Sequence, residues 1–346
     1  SEPWVVGIRL IVIDSGDDNL MPVWKRFRNA IQFACVSAYY NWKTTSDIVI
    51  ASSGPITIGI PGLIGKWTKR VPLVFEVRDL WPDGGIEMGF IRGAFKIKIS
   101  RWFEKLIYKN SAMLITASPG QKDHIQQRFP NQSIAVIPHA TDLDLFSNPE
   151  TIENPFDVKF KYVFLHIGSL GFIHNTRYIV ESAKILHERG RNDIGIVFIG
   201  EGSERAAMEL LVEAYGLQDM VQFWGIKPKQ DVAKCLTFAT ATLFTTLDNP
   251  VQNTCSPNKL YDSFAAGIPV IQTTTGWIKT MFEETKCGMN VSPNRYDTMA
   301  NAIIYLCDHP DVVRQMSEHA RQLANTEFNA DVLAHRYLSY LQSLTL

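Results

Sequence analysis

Short apolar runs recur along this chain at intervals filled by stretches of helical period, and that alternation leaves few folds open. Runs at 47–51, 73–77, 113–117 and 134–137 read as strands in the first half, and runs at 162–167, 194–199, 221–223, 241–245 and 270–271 in the second. Between them, 176–188, 204–215, 229–236 and 259–266 space their apolar residues as amphipathic helices do. Strands apolar on both faces and separated by helices predict parallel sheets covered by helices on both sides. The segment "WVVGIRLIVI", close behind Ser1, reads as one more strand.

With 346 residues the chain is long enough for two domains. The polar, proline-bearing stretch "FSNPETIENPFDVKF" (146–160) reads as a linker, giving doubly wound domains at 1–150 and 151–328. Residues 329–346 then form a C-terminal helix expected to pack back on the first domain. An apolar content of 46% with 20% charged residues fits an ordered globular chain, and a net charge of -1 supplies no global field for nucleic acid. The five cysteines are scattered, with no CxxC pair, which argues against a zinc site or a disulfide framework and for a reducing compartment. No apolar run approaches the roughly 18 residues that cross a bilayer, and no signal-peptide pattern opens the chain. A cytoplasmic location is expected.

In open α/β sheets ligands collect beyond the carboxyl ends of the strands, and the polar oddities of this sequence fall there. "SPNKLYDSFAAGIPVI" (256–271) is the most specific. Ser256 suits a helix cap, Pro257 the first helical position, and Gly267 with Pro269 the stop. The open amides of such a helix start attract an anion, and Lys259 adds a positive charge. Asp262 stands four residues beyond Asn258, about 6 Å along the axis, an offset that fits a diphosphate at the helix start and a ribose one turn on. A capped helix with a solvated Asp262 is the plainer alternative. "HIGSLGFIHN" (166–175) and "FIGEGSERAAME" (198–209) each place glycines, Gly168 and Gly171, then Gly200 and Gly202, where a strand gives way to a helix. They suit close approach of backbone to phosphate, and equally an ordinary turn. "FEVRDLWPDGG" (75–85) ends a buried strand with Arg78 and Asp79, charges that are costly there unless paired or used. "IPHATDLDLF" (137–146) places His139 and Asp142 near the cleft or hinge, and its Asp142-Leu-Asp144 reads as a surface loop rather than a metal site. "IRGAFKIKISRWFEKLIYKN" (91–110) interleaves cations with Phe95, Trp102, Phe103, Leu106 and Ile107. It is a candidate for peripheral contact with an anionic membrane or a lipid-linked acceptor, or else a core-facing helix with a solvated basic back.

Taken together, "EVRDLWP", "ASPGQKDHI", "IPHATDLDLF", "HIGSLG", "FIGEGSE", "VQFWGIKPKQDV" and above all "SPNKLYDSFAAGIPVI" resemble the retaining glycosyltransferases of family four, the group 1 type with the GT-B fold. Their order and spacing fit over nearly the whole chain, and the nearest likeness is to members that build bacterial surface polysaccharides, lipopolysaccharide among them, by moving amino or deoxy sugars. The resemblance implies two facing Rossmann-like domains, the first lacking the family's opening strand and glycine loop. It implies that Ser256, Pro257, Asn258, Lys259 and Leu260 hold the diphosphate of a nucleotide sugar and that Asp262 binds ribose as the second acid of an E-x7-E motif. Gly168, Ser169 and Gly171 would border the diphosphate, Gly200 lies in the neighbouring loop, and Gly225 and Ile226 would meet the base through backbone groups. Asp79, with Arg78, would serve catalysis by orienting the acceptor or the sugar.

Three departures stand out. The first acid of E-x7-E falls at Thr254, the Arg and Lys common after the first glycine loop are missing, with only histidine basic between His166 and Arg177, and the opening strand has no counterpart. The expected reaction is glycosyl transfer, of hexosyl or N-acetylhexosaminyl type, from a nucleoside diphosphate sugar, favoured as UDP-linked, to a glycan or polyprenyl-linked acceptor. It would proceed with retention, without metal or cofactor. A non-hydrolysing sugar-nucleotide epimerase and a non-catalytic sugar-nucleotide binder are the alternatives.

Overall fold

The computed structural model describes residues 4–5, 7–13, 23–54 and 56–345. They divide into two compact units, Ser1–Ile137 with Tyr337–Leu346, and Pro138–Arg336.

In the first unit, β1 (Trp4–Val5) and β2 (Ile8–Arg9) pair antiparallel. The "WVVGIRLIVI" segment is therefore a hairpin rather than one strand, because Gly7 turns the chain at φ +79°. Residues 10–13 follow without regular structure, and Val6 lies outside the described residues. Four parallel strands, β3 (Val49–Ser52), β4 (Leu73–Val77), β5 (Met113–Thr116) and β6 (Ile134–Val136), form a sheet in chain order. β4 and β5 are buried on both faces, which explains their unbroken apolar sequences. One face packs Val74, Met113, Ile115 and Ala135 against Tyr337, Tyr340, Leu341 and Leu344 from the chain's end.

The second unit is a six-stranded parallel sheet of β7 (Tyr162–Ile167), β8 (Ile194–Ile199), β9 (Val221–Phe223), β10 (Ala241–Phe244), β11 (Val270–Gln272) and β12 (Gly288–Asn290). Their order is β12-β11-β10-β7-β8-β9. The chain lays down β7, β8 and β9 in one direction, then returns to place β10 against the other side of β7. That reversal makes β7 and β10 a topological switch point, where the loops at the strand ends part and leave a crevice. One apolar layer beneath this sheet includes Phe146, Phe156 and Phe160. The stretch 146–160 is thus part of the second unit rather than a free linker, and the division falls at Ile137–Pro138, not at residue 150. The reason is the three phenylalanines, whose burial outweighs the polar residues around them.

Candidate functional site

The loops beyond β7, β8 and β9 are joined by backbone hydrogen bonds. The Gly168 amide donates to Ile199 (2.8 Å), the Leu170 amide to Glu201 (2.9 Å) and the Gly200 amide to Gly225 (2.8 Å). Gly200, at φ +145°, can only be glycine, since a Cβ there would stand 1.9 Å from the Gly168 carbonyl oxygen. The loop after β10 is tied to the same group. Thr245 Oγ1 donates to the His174 carbonyl (2.6 Å), and Thr246 Oγ1 to that of Ile173 (3.0 Å).

Into this switch point runs the Asn258–Ala265 helix. Its N-cap is Pro257, extended at φ -80° and ψ 125°, with no side-chain cap. Ser256 is therefore not the cap; its hydroxyl pairs with that of Tyr261 (2.6 Å) instead. Leu260 is wholly buried in the core and offers a ligand only its backbone. The helix start leaves the first-turn amides without helical carbonyls.

Lys259 is the exceptional residue. Its Nζ is buried and has no hydrogen-bond partner. It stands 5.7 Å from the centroid of the Phe244 ring and faces Gly168, where φ is +117°. Burial holds this ammonium well below the ordinary lysine range, at about 8. Burial and the Lys259 charge hold His174 at about 4, so its ring is neutral at pH 7. His166, fully buried in β7, is also pushed well down by burial and by Lys259 and His174. Its Nδ1 donates to the Leu243 carbonyl (3.2 Å) as a neutral imidazole. A lone buried cation beside two neutral imidazoles and a helix start is an arrangement that an anion completes.

One turn along the helix, Asp262 Oδ1 accepts from Thr141 Oγ1 (3.0 Å) and lies 3.7 Å from Lys229 Nζ. Burial raises this carboxyl, while Lys229 and the Thr141 hydroxyl oppose the rise. At the position of the missing first acid, Thr254 is buried and its hydroxyl donates to the Val251 carbonyl of its own turn (2.7 Å). Gly225 turns at φ +69° beside Glu201 and Arg205, which pair with each other, and Ile226 is 77% exposed next to it. Gly168, Ser169, Gly171, Gly200, Gly225, Asn258 and Lys259 are thus brought to one end of one sheet, with Asp262 along the helix. Asp142 caps the short Leu143–Ser147 helix by accepting from the Leu145 amide (3.1 Å). Among the described residues no group of three or more His, Cys, Asp or Glu is placed to hold a metal.

Arg78 and Asp79 belong to the first unit, at the carboxyl end of β4, with exposed side chains. The Arg78 amide donates to Ser53 Oγ (3.0 Å) and its carbonyl accepts from Gln121 Nε2 (2.9 Å). Below them lies an ion cluster that sequence reasoning missed. Asp83 takes bonds from His124 Nε2 (2.8 Å) and Arg128 (2.9 Å) and pairs with Arg101, and Arg128 also grips the buried Glu104 (2.6 and 2.7 Å). Its members are scattered over three segments, so no local signal exposes it. His174 was missed for another reason. It reads as an absence of Arg or Lys, and its being the one basic residue between Gly171 and Arg177 was the available signal.

Two parallel-sheet α/β units, the second with a buried, unpartnered lysine at its switch point, define a protein of the GT-B class. Sucrose-phosphate synthase from Thermosynechococcus elongatus superposes with a TM-score of 0.74 at 19% identity, over 99% of this chain and 84% of that one. Anabaena Alr3699/HepE, solved in complex with UDP, gives 0.70 at 14% identity, over 94% and 85%. The chain belongs to the glycosyl transferases group 1 family, whose model matches residues 149–323, and a glycosyl transferase 4-like domain matches residues 11–140. Among curated proteins it is 20% identical to alpha-D-kanosaminyltransferase of Streptomyces kanamyceticus over 239 residues, 67% of this chain and 60% of that relative. It spans between 36% and 60% of the length of the curated relatives it matches.

Proposed function

We propose that this chain is a glycosyltransferase that moves a sugar from a nucleoside diphosphate donor, UDP-linked, to a glycan or polyprenyl-linked acceptor hydroxyl in cell-surface polysaccharide synthesis, with retention. The observation that carries the reading is the buried, unpartnered Lys259 ammonium at the helix start. A protein interior does not keep an uncompensated cation for stability, and a diphosphate is the ligand that fits both it and the helix amides. The kanosaminyl transfer named for one relative and the UDP bound by one structural neighbour support the same chemistry.

In this reading Lys259 and the amides of Asn258 and Lys259 bind the diphosphate, bordered by Gly168, Ser169 and Gly171. Asp262 accepts from the ribose hydroxyls, and the backbone at Gly225 and Ile226 meets the base. As the bond from the anomeric carbon to the β-phosphate oxygen breaks, negative charge grows on that phosphate, and fixed donors aimed at it lower the barrier. The acceptor hydroxyl adds to the anomeric carbon on the face the phosphate leaves, and its proton passes to the departing phosphate oxygen. Arg78 and Asp79 orient acceptor or sugar. The test incubates the protein with a panel of nucleotide sugars, with and without a membrane extract as acceptor source. Acceptor-dependent loss of one donor, with a product that keeps that donor's anomeric configuration, supports the reading. An isomerised donor without acceptor identifies an epimerase, and binding without turnover identifies a binder.

A further inference from the structure

We propose that the outward face of the Ala94–Asn110 helix docks on an anionic lipid surface, with Phe95, Ile99 and Trp102 entering the interfacial layer and the flanking lysines meeting the headgroups. These three side chains are 76%, 48% and 61% exposed, and Phe90, just before the helix, is 72% exposed. Their spacing of four and then three residues puts them on a single stripe. At 3.6 residues per turn, Lys98, Lys105 and Lys109 fall along one flank of the stripe and Lys96 on the other. The opposite face carries Glu104, Ile107 and Tyr108, which are buried, so the helix is already anchored without its apolar stripe.

This inverts what a helix in a water-soluble protein does with its largest apolar residues. Single exposed apolar side chains are ordinary, but a contiguous aromatic stripe marks a docking surface. Charge decides what docks. Glu104 is the one acid in the helix, and it is buried and held by Arg128, so the outward face carries positive charge alone. A second copy of this chain would bring cation to cation. Anionic headgroups complement the lysines, whose long stems let the charge stay in water while the rings sink to the headgroup boundary. Indole is a side chain favoured at that depth. Among the described residues no helix is long and apolar enough to cross a membrane, so the contact lies in the interface plane.

The experiment sediments the full chain with vesicles of phosphatidylcholine alone and of phosphatidylcholine enriched in phosphatidylglycerol. The protein is expected to sediment with the second and not the first, to be released by salt, and to have its tryptophan emission quenched by brominated lipid. Phe95→Ser with Trp102→Ser, and separately Lys98→Gln with Lys105→Gln and Lys109→Gln, are each expected to lower partitioning at least about tenfold. The thermal unfolding of the full chain, followed by circular dichroism, should be unchanged in both, which separates loss of docking from loss of fold. Equal binding to neutral vesicles, or full binding by both variants, overturns the proposal. So does absence of vesicle binding by the wild-type chain, including the case where Phe95→Ser with Trp102→Ser dissolves a dimer or a protein complex.

Discussion

The Lys259 ammonium lies 3.1 Å from the point where a Cβ on Gly168 would stand, and 3.2 Å separates that point from Lys259 Cε. The glycine at the end of β7 thus leaves the volume into which the lysine from another element extends. An ammonium held this way, without a carboxylate, weakens the fold and readies the crevice for an anion.

Substituting Lys259→Met should stabilise the ligand-free protein. The lysine's folded-state value of about 8 lies below its ordinary 10.5. Between those limits the unfolded chain holds the proton more tightly, so stability rises with pH through that window. Below it the buried charge costs about 3 kcal/mol. The methionine variant should therefore melt several degrees higher at pH 7, with the gain shrinking as pH rises from about 8 towards 10.5. Thermal unfolding at pH 7 and across that range checks it; a lower melting temperature at pH 7 would show Lys259 to be a structural residue.

His174 should couple binding to protons. It is neutral when the site is empty, since burial and Lys259 hold it at about 4. A diphosphate beside it offsets the Lys259 charge and raises that value, so affinity for UDP-glucose should grow as pH falls from neutral towards about 5. UDP-glucose is the suitable probe because its diphosphate diester does not itself titrate there. Calorimetry in two buffers of different ionisation enthalpy should show proton uptake, and His174→Gln should abolish it.

The loop junction is testable through two glycines. Gly200→Ala drives a methyl into the Gly168 carbonyl and should cost about 3 kcal/mol or more. Gly190, at φ +72°, has nothing within 4 Å of its added Cβ, so Gly190→Ala should cost about 1 kcal/mol. Similar melting temperatures for the two variants would contradict the packing described.

In the first unit, Asp83→Asn should destabilise by about 3–5 kcal/mol, because it leaves Arg128 and Arg101 short of a partner. Burial acts against the Asp83 carboxylate, but hydrogen bonds from His124 and Arg101 and the nearby arginine charges outweigh it and hold the group well below the carboxylate range. Its contribution is therefore full above the unfolded value near 3.8 and is lost as pH falls through the lower folded value. The wild-type chain should lose stability below about pH 4 more steeply than the variant, as followed by circular dichroism during acid titration.

Much of the fold was legible because a parallel sheet buried on both faces leaves long apolar runs. Leu73–Val77 and Ile194–Ile199 could hardly be anything else. The helix at Asn258–Ala265 was legible from its start and stop residues, although Pro257 rather than Ser256 caps it. The hairpin near the amino end was not, since a single glycine overrode an apolar run. The stretch 146–160 misled because its polar composition hid three core phenylalanines. Long-range facts lay beyond reach in principle. Neither the Thr141–Asp262 bond, spanning 121 residues, nor the solitude of Lys259 has a local signature.

If Lys259 holds a diphosphate in the crevice between β7 and β10, removing its charge must weaken nucleotide binding. Isothermal titration of UDP into the wild-type protein and into Lys259→Met, at the same pH and salt, tests it directly. The wild type should bind measurably, with a loss of at least about tenfold, more than about 1.4 kcal/mol, in a variant that remains folded. Equal affinity in the two proteins would contradict it.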